Sequence, residues 1–220
     1  MSWWPAIYYR DEAPEYLYKY CTRNVYDKHI KIGEFRVGTL AEYRSAFEEK
    51  GAEYGDHYEG NEAVFKRGPV EIAGHSLDEQ GGIIIDRNVN AYVFCGSSNY
   101  SKKDHEKWFK RKGCNYDLCI KLRSSPFLNL LAHKIDFHHR QNGSAMCGKP
   151  LYDGRGVIYL DKETPKKGDI YLYKNPDLAW EKEYRLVYLN PHIHGHDKVP
   201  FIASSMKFIE CIEDVIQING

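Results

Sequence analysis

The chain has no long hydrophobic run: its apolar stretches fall short of the ~18 residues that a membrane-crossing helix requires. Its opening residues, Met1-Ser2-Trp3-Trp4-Pro5, carry no basic region followed by an apolar segment, so no secretory signal is expected. Net charge is also missing, because 31 Lys and Arg balance 31 Asp and Glu. That balance removes any global signature of a nucleic-acid or membrane partner and leaves only local patches to consider. The six cysteines (Cys21, Cys95, Cys114, Cys119, Cys147 and Cys211) form no CxxC pair, and several sit in apolar, strand-like runs. Reduced, partly buried thiols in a cytoplasmic protein fit this pattern better than a disulfide framework. Without an internal repeat, low-complexity tract or Ser/Pro-rich linker, 1–220 is expected to be one domain. Its first part, to about residue 60, reads as more helical and the part from 61 onward as β-rich.

What the chain has is enough apolar material for a core, at 42% of 220 residues, and 18 tyrosines. Tyrosine suits strands and can also stack on a base or nucleotide. Tyr16 to Tyr20 reads as a first strand. Thr22 caps a helix expected to run to Ile32, with Gly33 as its stop. A short strand from Glu34 to Gly38 leads to Thr39 and a second helix through Lys50. Strands are then expected at 62–67, 69–73, 82–86, 89–95, 116–122, 155–160, 169–173, 183–189, 198–203 and 207–212. Helices are expected over Ser101 to Lys112 and from Ser125-Pro126 to about His133. Many short strands with few helices argue for an α+β fold.

The segment most suggestive of chemistry is Trp180-Glu181-Lys182-Glu183-Tyr184-Arg185-Leu186-Val187-Tyr188-Leu189. Read as one strand, it places Glu181, Glu183 and Arg185 on a single face. Like charges held that close disfavour joint ionisation, which marks an active-site edge; a solvated edge neutralised by Arg185 is the plainer reading. Gly55-Asp56-His57-Tyr58-Glu59-Gly60, following Tyr43-Arg44, offers either an acid–base or metal loop or an ion-pair network with Arg36, Arg44 and Asp56. His192, His194, His196 and Asp197 alternate as metal ligands would, but Pro191 and Gly195 break the strand, which favours a solvated loop. His138-His139-Arg140 is an anion contact or ordinary surface. Lys102, Lys103, Lys107, Lys110, Arg111 and Lys112, with Trp108 among them, form the one concentrated basic helix: a solvated face, or a docking surface for nucleic acid.

Glu181-Lys182-Glu183 before an apolar strand resembles the E-x-E motif of ADP-ribosyltransferases. Tyr92-Val93-Phe94-Cys95-Gly96-Ser97-Ser98-Asn99 ahead of a helix is similar to their serine motif. Leu17-Tyr18-Lys19-Tyr20 lies where those enzymes place an NAD-holding Arg or His, although neither occurs in this strand. Tyr18-Lys19-Tyr20, Arg155-Gly156-Val157-Ile158-Tyr159 and Lys174 leading to Trp180–Leu186 also resemble an uncharacterised prokaryotic family found beside abortive-infection and phage-defence genes. The resemblance implies a split β-sheet and an NAD-consuming effector, in antiviral defence or as a toxin. Glu183 and Glu181 would be catalytic; Tyr18, Lys19, Tyr20, Arg44, Ser97, Ser98 and Arg185 would bind NAD. An acceptor protein or nucleic acid and a cognate antitoxin or defence partner are implied with it. A non-catalytic sensor or interaction module of a defence system is the alternative, and a metal-dependent nuclease using Asp56, His57 and Glu59 the third.

Overall fold

A computed structural model describes residues 7–9, 13–50, 61–67, 70–72, 75–77, 82–88, 90–111, 113–141, 151–156, 158–159, 173–174, 176–189 and 199–218. In chain order its strands are β1 (Ile7–Tyr9), β2 (Tyr16–Cys21), β3 (Glu34–Thr39), β4 (Asn61–Arg67), β5 (Val70–Ile72), β6 (His75–Leu77), β7 (Gly82–Asn88) and β8 (Tyr92–Ser97). They continue with β9 (Leu118–Arg123), β10 (Leu151–Gly156), β11 (Ile158–Tyr159), β12 (Tyr173–Lys174), β13 (Glu183–Leu189), β14 (Phe201–Ser204) and β15 (Ile212–Gln217). The α-helices are α1 (Arg23–Lys28), α2 (Leu40–Lys50), α3 (Lys102–Lys110) and α4 (Ser124–Gln141). The fold is α+β, and none of the described helices is long and apolar enough to cross a membrane.

The main sheet runs β1-β10-β13-β8-β2-β9-β15, antiparallel except where β1 meets β10. One edge of β8 is covered by β13 along its length, with Glu183 opposite Ser97 and Tyr188 opposite Tyr92. Its other edge is divided. Gly38 and Thr39 of β3 pair with Val93 and Tyr92, while Tyr18 of β2 pairs with Ser97. Between those two registers β2 and β3 part, and Cys95 faces the gap. The pairs β4–β7, β5–β6 and β11–β12 form separate two-stranded sheets.

Strand alternation sorts side chains onto two faces. Leu17, Phe35, Val37, Phe94, Ile120, Leu122, Leu186 and Tyr188 point into the principal core. There α4 covers them with Phe127, Leu128, Leu131, Ala132 and Ile135, an amphipathic spacing that continues the helix well past His133, where the sequence reading ended it. On the opposite face Val93 and Val187 join Leu40 and Ala91 in a small second cluster.

Local chemistry sets several element ends. The Thr22 hydroxyl accepts from the Val25 N–H at 3.2 Å and starts α1. The helix ends at Lys28 and not at Ile32; Ile30–Ile32 form a single 3-10 turn closed by Gly33 at φ 77°. A Cβ at Gly33 would stand 2.2 Å from the Ser205 carbonyl oxygen, so both conformation and space require glycine. The strand expected at 207–212 is instead a 3-10 helix over Met206–Cys211, with β15 beginning at Ile212. Phe208 and Cys211, three apart, are its buried residues, which is helical spacing. The loop with Asp56, His57 and Glu59, the segment with His192, His194, His196 and Asp197, and the side chains of Arg44, Lys112, His139 and Arg140 lie outside the described residues.

Candidate functional site

A cleft of about 520 Å³ opens at the gap between β2 and β3. Its wall from β2 comprises Tyr18, Lys19, Tyr20 and Cys21; that from β3 comprises Glu34, Phe35 and Arg36; Phe94 to Ser97 of β8 lie between. Glu181, Glu183, Trp108, Arg111 and Tyr116 complete the polar end. The size lies within the roughly 300–1,000 Å³ range of small-molecule and cofactor sites.

Lys19 shows how the gap is held. Its ammonium donates to the Cys95 carbonyl at 2.9 Å and lies 5.1 Å from the Phe94 ring centroid. A side chain thus reaches the carbonyl at the place where β8 passes from one neighbouring strand to the other. Lys19 is therefore no solvated side chain on an edge strand, since β2 lies between β8 and β9.

The acidic pair is arranged differently from a plain strand face. Glu181 ends a 3-10 helix (Pro176–Glu181), Lys182 turns the chain at φ 46°, and the strand begins at Glu183. A non-glycine residue in this left-handed region costs about 1–2 kcal/mol. Ser98 pins the turn: its N–H and its hydroxyl both donate to the Lys182 carbonyl, at 2.8 and 2.9 Å. Glu181 and Glu183 thus both line the cleft through a braced turn rather than through strand periodicity.

Both carboxylates are buried, with Glu181 5% and Glu183 8% exposed. Arg111 at the end of α3 donates from Nη1 to Glu181 Oε1 at 2.8 Å. Its guanidinium carbon lies 5.0 Å from the Trp108 ring centroid. Arg185 Nε donates to Glu183 Oε1, and the Arg185 side chain is wholly inaccessible. Each acid is thus neutralised locally, which removes the mutual repulsion expected from the sequence. Arg185 pairs with Glu183 and is not among the residues that line the cleft.

Ser97, directly opposite Glu183, is buried and donates through Oγ to the Asn99 carbonyl at 2.8 Å. It ends β8 rather than forming a turn after residue 95, because the strand runs two residues further than expected. Tyr18 packs against Tyr100, with centroids 5.8 Å apart, and Tyr20 stacks on Trp108 at 5.8 Å. Trp108 also meets Tyr116 and Trp180, at 5.5 and 5.1 Å. Burial pushes the phenols of Tyr20 and Tyr116 up, the latter to about 12, and the Cys21 thiol up to about 12, so these groups line the cleft uncharged.

Of the residues expected to form a site, Tyr18, Lys19, Tyr20, Ser97, Glu181 and Glu183 converge on the cleft. Ser98 and Arg185 stand outside the lining and support it. Arg111 and Trp108, expected only as part of a basic helix, Arg36, expected in an ion-pair network, and the His29–Glu34 pair, 2.8 Å apart, also reach the cleft. The cationic end of α3 was readable as a basic helix, but its contact with Glu181 spans 70 positions. Among the described residues no group of three or more His, Cys, Asp or Glu is arranged to hold a metal. Compared with known proteins, the chain matches no family model, no curated protein and no solved structure.

Proposed function

We propose that the chain is an NAD-consuming enzyme of the ADP-ribosyltransferase type, which breaks the bond between nicotinamide and ribose and passes ADP-ribose to an acceptor or to water. One observation carries the reading: Glu183 and Ser97 are cross-strand partners in a cleft formed where β2 and β3 part along β8, and Glu181 lines the same cleft. When the glycosidic bond breaks, its electron pair leaves on the nicotinamide nitrogen and positive charge develops on the ribose. A fixed carboxylate stabilises that charge, and Glu183, oriented by Arg185, supplies it. Ser97 holds a ribose hydroxyl beside it. Glu181 takes the proton of the attacking nucleophile as it bonds to the anomeric carbon. Tyr18 and Tyr20 provide aromatic wall for the nicotinamide. The setting in antiviral defence, or as a toxin, rests on the family resemblance alone.

Nicotinamide release from NAD by the purified chain tests this. The Glu183→Gln variant is expected to lose turnover about 10²–10³-fold. It also removes the negative charge paired with Arg185, and breaking a buried pair costs roughly 3–5 kcal/mol, so its assay belongs below its own melting temperature. The double variant Glu183→Gln/Arg185→Met removes both charges; it should regain stability without regaining turnover. Wild-type turnover by folded Glu183→Gln would sink the assignment.

A binding-only module is the second reading, and Lys19 favours it. At the place where the resembled enzymes hold NAD with Arg or His, this chain uses its cation on its own backbone. A stable NAD complex without nicotinamide release would select that reading.

A further inference from the structure

We infer that the acceptor is a single-stranded nucleic acid, with its phosphates on Lys103, Lys107 and Lys110 of α3 and a base against Trp180. The chemistry rests on the function proposed above; the binding surface does not. In a chain whose charges cancel at 31 against 31, α3 and the adjoining Arg111 carry Lys102, Lys103, Lys107, Lys110 and Arg111 against Asp104 and Glu106. Lys103, Lys107 and Lys110 recur at helical spacing, which sets them in one exposed stripe about 10 Å long. Asp104 offsets part of the Lys107 charge at 3.5 Å, but Lys182, from outside the stripe, shares that carboxylate at 3.4 Å.

The stripe leads to the cleft. Lys107 Nζ lies 4.9 Å from the Trp180 ring centroid, and Trp180 directly precedes Glu181. One helical turn after Lys107, Arg111 holds Glu181 itself. Cations and a half-buried indole therefore border the carboxylate that would deprotonate an incoming nucleophile. Phosphate contacts along a basic groove, combined with base stacking on an aromatic ring, are the physics of sequence-tolerant single-strand binding. An acidic peptide would use the lysines but not the indole. A stacked duplex keeps its bases from such a cleft.

Fluorescence anisotropy with labelled 20-nucleotide single strands, one DNA and one RNA of mixed sequence and without NAD, tests the surface. The wild-type chain should bind at least one of them, with affinity falling as salt rises; the two arms identify the sugar. Lys103→Glu/Lys110→Glu should weaken binding more than tenfold and flatten the log–log salt slope by about 1.4, from roughly 0.7 per lost phosphate contact. Trp180→Leu should weaken it about five- to a hundredfold, with melting curves confirming that each variant is folded. Nicotinamide release to water should be unchanged in the lysine variant. Binding without nicotinamide release would support this surface while defeating the catalytic reading. No salt-dependent binding by wild type, unchanged affinity in the lysine variant, or unchanged affinity in folded Trp180→Leu would overturn it.

Discussion

The central strands bury two faces, and they keep water out to a similar degree for different reasons. On the face under α4, Phe127 is inaccessible and lies 4.8, 5.1 and 5.3 Å from the ring centroids of Phe35, Phe94 and Phe208. On the other face Arg185 is equally inaccessible, against Glu183. Burying an aromatic ring stabilises by about 1.5–3 kcal/mol, whereas a buried ion pair roughly balances its own desolvation. One face therefore supplies stability. The other consumes polar groups that a core alone would not need, and that is the face on which Ser97 and Glu183 meet.

The largest effect that separates the faces is expected at Phe127. Phe127→Ala should cost about 3–5 kcal/mol in urea unfolding, because the surrounding rings cannot close the void completely. In the nicotinamide-release assay of the proposed activity, the fraction that stays folded should show an unchanged KM, since the ring does not line the cleft. A shifted KM would mean that the two faces are mechanically coupled.

Lys19 belongs to both faces, and its removal should have the next largest effect. On β2 it shares the parity of Leu17 and Cys21, yet its ammonium ends at the gap on the Cys95 carbonyl. Lys19→Met keeps the stem and removes the charged hydrogen bond, with an expected loss of about 1.5–3 kcal/mol. Hydrogen exchange should show that protection is lost first in β8 around Cys95. Unchanged protection there would show that the gap is braced by something other than Lys19.

The sequence exposes these features unevenly. Glu183–Leu189 was readable as a strand because apolar and polar residues alternate, whereas Ser97, which lines the cleft, was singled out only through the resemblance to a serine motif. The split was not readable, since which strand covers which part of an edge depends on pairings far apart in the chain. Arg111 meeting Glu181 is of the same kind. Lys182 in a left-handed conformation left no trace either, because lysine carries no preference for it; glycine or asparagine there would have warned of the turn. Met206–Cys211 misled for a different reason: a short apolar run has no period long enough to tell strand from helix. Reading Trp180–Leu189 as one strand gave the wrong local geometry for Glu181, which ends a 3-10 helix, although Glu181 and Glu183 both line the cleft.

The smallest expected effect uses one histidine on each face. His105 of α3 is fully buried beside Tyr20 and Tyr100, at centroid distances of 5.2 and 5.9 Å. His138 of α4 is half-buried and stacked on Phe201 at 3.8 Å. Burial lowers both pKa values, and for His105 it outweighs the opposing influence of the Tyr116 backbone and Asp117. The unfolded chain therefore takes up these protons first. Their stabilising contribution is complete above the ordinary value of 6.5 and is lost as pH falls from there through the lower folded values. Asp104 adds nothing in that window. Although burial raises its pKa, the hydrogen bonds from Ser101 and Lys182 outweigh that and bring it below 3.8. Melting temperature should thus decline from pH 7.5 to 5.5 in the wild-type chain. His105→Phe should flatten the decline more than His138→Phe, since the deeper ring is the costlier to charge. The reverse order would place the acid-sensitive element under α4, and a flat wild-type profile would show that neither burial opposes protonation in solution.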